Sequence, residues 1–273
     1  METLADEAID FTVTRLPFFL RPELPGINKS LGDGTAGTWR VEDSPGTWGQ
    51  QMDLYTKKHP EKFGADGQAP DARFGISWQA AEVGLKFSFG QPMSNSMDAL
   101  RLLVKVQREH SPAVREAFFE IVSRKYFTEG RPLADHQMLL EAAKEAEVPT
   151  EGLLEWLRSG DGTFEIQRTY AEIFFGWGYT SVPVTLVSCE GLDQHIQGSQ
   201  NLEAYLQVFR RILEEPLASK TPEQKLPIWE KYSRVAQATG TANGKDFSVE
   251  ARDIFFGETA LNLRQKAKGA RPG

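Results

Sequence analysis

The chain has 273 residues, 40% of them apolar and 25% charged, the make-up of an ordinary globular protein with enough length to bury a core. Its 31 basic and 38 acidic side chains leave a net charge of −7, which argues against nucleic acid or an anionic membrane surface as the main partner. No run approaches the ~20 consecutive apolar residues that span a bilayer, and the acidic start METLADEAID is unlike a signal peptide, so a cytoplasmic protein is expected.

The first element expected is a strand in IDFTVTRLPFF, residues 9–19, where Ile9, Phe11 and Val13 alternate with polar neighbours before RPELPG closes the run. A glycine-rich stretch follows, NKSLGDGTAGTWRVEDSPG. It lacks the Gly-Lys-Ser/Thr ending and immediate helix of a phosphate loop, so it reads as a surface loop.

From 47 to 162 the apolar spacing is helical. TWGQQMDLYTKKH runs up to Pro60, with His59 at its end, where a cation complements the helix dipole. NSMDALRLLVKVQREH has Asn95 as its expected cap and Met97, Leu100, Leu103 and Val104 on one face. SPAVREAFFEIVSRKYF opens on Ser111 with Pro112 at the first helical position, and Val114, Phe118, Ile121 or Val122, and Tyr126 face inward. DHQMLLEAAKEAEV starts at Asp135, and TEGLLEWLRS is a shorter helix stopped by SGDG. Short links between such helices make antiparallel neighbours and a bundle.

TFEIQRTYAEIFFGWG is again helical, with Phe164, Tyr170, Ile173 or Phe174, and Trp177 on one side. In YTSVPVTLVSC, residues 179–189, Pro183 stands before a β-branched run. A proline cannot donate to a ladder, so it belongs at the first residue of a strand or on an edge. A second short strand in DQHIQGSQ and a helix over NLEAYLQVFRRILEE follow, then a polar tail with room for two helices. A helical block that splits an α/β unit points to one domain inserted into another.

Several of these segments resemble, in order, the DsbA-like thioredoxin family in its FrnE-type branch, which is related to 2-hydroxychromene-2-carboxylate isomerases and kappa-class glutathione transferases. RLPFFLRPELP resembles the branch's second strand. GLKFSFGQPMSNSMDALRLL and AFFEIVSRKYFTEGRPLAD are similar to the way into and through its helical insertion. GYTSVPVTLV is similar to the stretch around its cis-proline, and IQGSQNLEAYLQVF to its turn into the last helix. The likeness covers roughly residues 9 to 213; the tail from 214 is not explained by it.

The resemblance implies an α/β, thioredoxin-like fold. Residues 1–46 and 163–214 would form the thioredoxin-like part, 47–162 an all-helical insertion, and 215–273 a helical extension. It also implies that Pro183 is the cis-proline and that Val182 offers its backbone to an extended peptide or to glutathione, by strand addition. In the family that proline faces a Cys-x-x-Cys on the first helix. Here the first strand and that helix are expected to be largely missing, METLADEA being the helix's remnant.

The chain has one cysteine, Cys189, which excludes any Cys-x-x-Cys within it, and an apolar strand end suggests a buried structural thiol. Disulfide exchange needs an attacking thiolate and a resolving thiol. The implied function is therefore that of a DsbA-like thiol–disulfide oxidoreductase family member lacking its dithiol. It would be either redox-inactive or continued upstream of Met1. The alternatives are a non-catalytic peptide-binding adaptor and a relative of the glutathione-dependent isomerases and transferases. No catalytic residue is assigned. Four scattered histidines, 59, 110, 136 and 195, give no metal site, and no cofactor is expected apart from glutathione. A homodimer is left open. Arg101 keeps an arginine of the family's pattern, whereas Leu100 stands where the branch usually has histidine.

Overall fold

The structure, a computed structural model, describes residues 12–21, 24, 44–63, 72–189 and 192–214. They form a mixed α/β chain, mostly helical, with one two-stranded antiparallel sheet. The chain divides into two units. One draws on Met1–Pro17 and Leu24–Thr163, the other on Phe18–Glu23 and Phe164–Gly273. The expected N-terminal remnant, most of the glycine-rich loop and the C-terminal extension lie outside the described residues.

In the first unit α1 is Trp48–Lys58, begun by a full capping box. Thr47 accepts from the Gln50 N–H, and the Gln50 side chain accepts from the Thr47 N–H. The next two amides at this helix start, Trp48 and Gly49, donate at 2.9 Å to the carbonyls of Gln91 and Phe89. The extended segment 85–93 is thereby laid against the end of α1, and Trp48 stacks on Phe89 with centroids 5.0 Å apart. Ser88 N–H reaches the Phe127 carbonyl at 2.7 Å. Gly130 stands close by at φ +71, where an added Cβ would come within 2.9 Å of Ser88 Oγ, so a side chain there meets both strain and a clash. After α1 come α2, Pro60–Phe63, and α3, Ala72–Glu82, which the apolar spacing does not foretell.

Four more helices make the core: α4 Met97–Glu109, α5 Pro112–Phe127, α6 His136–Glu145 and α7 Leu153–Ser159. Ser111 and Asp135 cap α5 and α6 through their side chains as their sequences suggest. Leu102, Val106, Phe118, Met138, Leu139 and Leu157 are each at most 1% exposed and pack as one cluster.

Three expectations are corrected. The cap of α4 is Ser96, whose side chain makes no capping bond; Asn95 instead accepts from the Met97 N–H at 2.8 Å and donates to the Leu24 carbonyl. The buried face of α4 runs through Asp98, Arg101, Leu102 and Val106, while Leu100 and Val104 are only half-buried. A charged residue can turn inward there because the fold supplies carbonyl oxygens for it. Lastly, residues 12–19 form no strand: Gln107 acts as a ladder partner, accepting from the Arg15 N–H at 2.8 Å and donating to its carbonyl at 3.3 Å. Arg115 donates to the Val13 carbonyl. Helix side chains satisfy this backbone in place of a neighbouring strand.

The second unit holds α8, Thr163–Ala171, a π-helical turn over Glu172–Gly176, strands β1 Val184–Cys189 and β2 Leu192–Gln197, and α9 Leu202–Glu214. Phe19 is fully buried edge-on against Tyr170, which stacks on Phe174. Phe164, expected on the inner side of its helix, is 61% exposed, because at 3.6 residues per turn it does not share the buried face of α8, which runs through Ile166, Gln167, Tyr170 and Ala171.

Candidate docking edge

Strands β1 and β2 pair antiparallel in an unbroken register from Val184 opposite Gln197 to Cys189 opposite Leu192. One step before the strand, the Gly198 N–H donates to the Pro183 carbonyl at 2.9 Å, so Pro183 and Gly198 occupy a hydrogen-bonded position. Hydrogen-bonded and non-bonded pairs alternate along an antiparallel ladder. Thr185, Val187 and Cys189 therefore commit their N–H and C=O groups to β2. Val184, Leu186 and Ser188 turn theirs to the opposite edge. Among the described residues nothing pairs with that edge.

The two faces of the hairpin also differ. Side chains alternate with period two, so Thr185 shares a face with its partner Ile196, which is buried. That face packs on α9, and the Thr185 and Tyr205 hydroxyls approach to 3.5 Å. The other face carries Leu186 beside His195, and Ser188 donates to Asp193 at 2.6 Å. His195 and Gln197 on it are exposed, and the Tyr179 ring lies 6.2 Å from that of His195.

The two residues singled out in the sequence sit at the head of this edge. Val182 is 48% exposed and Pro183 is exposed too. The bond between them is cis, the isomer that the family likeness implies. Val182 precedes β1 by two residues, ahead of the outward row of backbone.

Cys189 lies elsewhere. It is exposed, not the buried structural thiol expected, because a sheet of two strands leaves its last residue uncovered. Six residues of extended chain put it about 20 Å from Pro183. It cannot stand in for a thiol facing the proline. Cys189 should react readily with a small disulfide reagent in the folded protein, and Cys189→Ser should leave any binding at Val182–Pro183 unchanged. Slow, denaturant-dependent labelling would contradict this placement.

Glu172 opens the π turn, and the Trp177 N–H closes it on the Glu172 carbonyl at 2.9 Å. Burial pushes its carboxyl above the usual carboxylate range, and the Arg168 guanidinium only partly offsets this. Between its unfolded and folded pKa values the folded chain holds the extra proton, so stability is full below the unfolded value and is lost as pH rises through the folded one. Glu172→Gln should therefore unfold at a higher urea concentration than the parent at neutral pH. At acid pH, where the carboxyl is neutral anyway, the gap should close.

The chain matches no protein-family model and no curated protein. Among the described residues no helix is long and apolar enough to cross a membrane, and no three His, Cys, Asp or Glu side chains gather as a metal site needs.

Proposed function

We propose that this chain is a thioredoxin-like relative of the DsbA family's FrnE-type branch. Its role in this reading is to dock an extended peptide, or glutathione as a short one, along the outer edge of β1 from Val182–Pro183 onward. The observation that carries the reading is the parity of the hairpin. Backbone donors and acceptors of Val184, Leu186 and Ser188 face away from β2, and an exposed Val182 precedes them. An extended ligand added there gains main-chain hydrogen bonds irrespective of its sequence. The order helix, hairpin, helix also fits the second half of a thioredoxin-like domain.

Binding without dithiol turnover is the chemistry these residues support. A mixed disulfide needs a second thiol to resolve it, and the one cysteine present is exposed at the far end of β1. Fluorescence anisotropy with a labelled, alkylated insulin B chain should show saturable binding, competed by unlabelled peptide. Insulin reduction by dithiothreitol should run no faster with the chain present. Absence of binding to both the B chain and glutathione, or turnover that depends on Cys189, would overturn the proposal.

A further inference from the structure

We propose that β1 also pairs with β1 of a second copy of this chain, antiparallel about a two-fold axis through Leu186. The geometry of the edge selects this register. Only Val184, Leu186 and Ser188 in the strand present outward N–H and C=O groups, so a bonded partner residue must itself be outward-facing. A second β1 meets all three at once only when Leu186 lies opposite the second copy's Leu186 and Val184 opposite the second copy's Ser188. Each such pair exchanges two N–H···O bonds. Moving the axis by one residue leaves outward groups at a strand end without a strand partner.

What lies along this edge favours a copy of itself. VTLVSC carries no charge and no internal proline, and its register with β2 has no bulge. Proteins normally protect exposed edges with lysine, proline or a bulge, and within Val184–Cys189 none of these occurs. At the seam the facing pairs are leucine with leucine and valine with serine, so no like charges oppose each other. A two-stranded hairpin is marginal alone, and pairing would make four continuous strands, β2–β1–β1–β2, across a closed isologous interface. This assembly uses the edge assigned above to peptide but does not depend on that assignment. If both hold, dimer and peptide compete.

Sedimentation velocity over a wide concentration range, without peptide, should show a monomer–dimer equilibrium. Leu186→Lys and Leu186→Glu each place two like charges face to face at the axis. Both variants should sediment as monomers with unchanged circular dichroism, and an equimolar mixture should recover the dimer. In a Cys189→Ser background, Leu186→Cys should form a disulfide-linked dimer on mild oxidation. Thr185→Cys should not, because it lies opposite Val187 of the second copy. A wild-type chain that stays monomeric throughout, a dimer that persists in both charge variants, or equal cross-linking at 185 and 186 would overturn the proposal. Peptide binding is read in a separate assay, so failure of either proposal is recognised independently.

Discussion

Arg101→Met should lower the unfolding free energy by about 3–5 kcal/mol, the range expected when one member of a buried ion pair is removed. Arg101 is 1% exposed, the largest fully buried side chain described. Its Nε donates to the Asp161 carbonyl at 2.7 Å, Nη1 to Asp98 Oδ1 at 2.6 Å and to the Leu157 carbonyl at 3.0 Å, and Nη2 to the Trp156 carbonyl at 3.2 Å. It thus closes the C-terminal end of the seven-residue α7, which is too short to hold itself. The guanidinium also lies over the Trp156 ring, 4.7 Å from its centroid.

Asp98 is shared: its second oxygen lies 2.9 Å from His136 Nε2 at the start of α6. One arginine therefore ties α4 to α7 directly and to α6 through Asp98. Methionine would leave the buried Leu157 carbonyl and Asp98 Oδ1 without this partner and would free the part-buried carbonyls of Trp156 and Asp161. Arg101→Lys keeps the charge but not the planar fork, so it should fall between parent and methionine variant. Urea titrations followed by circular dichroism measure both. A loss below about 1 kcal/mol for the methionine variant would mean that the network carries little net stability.

The second large effect is expected from a pair of proline substitutions in neighbouring residues of β1. Leu186→Pro removes an N–H that faces the open edge, a place where proline is tolerated. The fold should survive while peptide affinity falls about tenfold, one main-chain bond being worth ~0.5–1.5 kcal/mol and the ring hindering close approach. Val187→Pro removes an N–H already committed to β2, so it should disrupt the hairpin itself. Reversal of these outcomes, with the hairpin lost at 186 and kept at 187, would show the alternation to run the other way. Thermal unfolding and anisotropy with the same labelled B chain separate the two effects.

Much of this was legible in the sequence where local rules decide. Ser111 with Pro112, and Asp135, mark helix starts through short-range chemistry, and both act as caps. Pro183 ahead of a β-branched run marks the start of β1 for the same reason. Arg101 was not legible as a core residue. A charged side chain on an amphipathic helix reads as solvent-facing, and the carbonyls that receive it lie more than fifty positions away. α3 went unseen because ARFGISWQAAE mixes glycine and small residues with bulky ones and shows no clear apolar stripe. Residues 12–19 alternate like a strand, yet alternation only shows that a segment is extended, and here Gln107 and Arg115 supply the partners. The direction of each β1 amide rests on one bond, Gly198 to Pro183, that no sequence pattern reveals.

Residue-resolved hydrogen exchange on the dilute, unliganded chain tests the outward edge most directly. Amides of Val184, Leu186 and Ser188 should exchange fast and those of Thr185, Val187 and Cys189 slowly, with added alkylated B chain slowing the first set alone. Uniform protection along β1 without ligand, or a ligand that leaves the fast set unchanged, would contradict a docking edge beside Val182–Pro183.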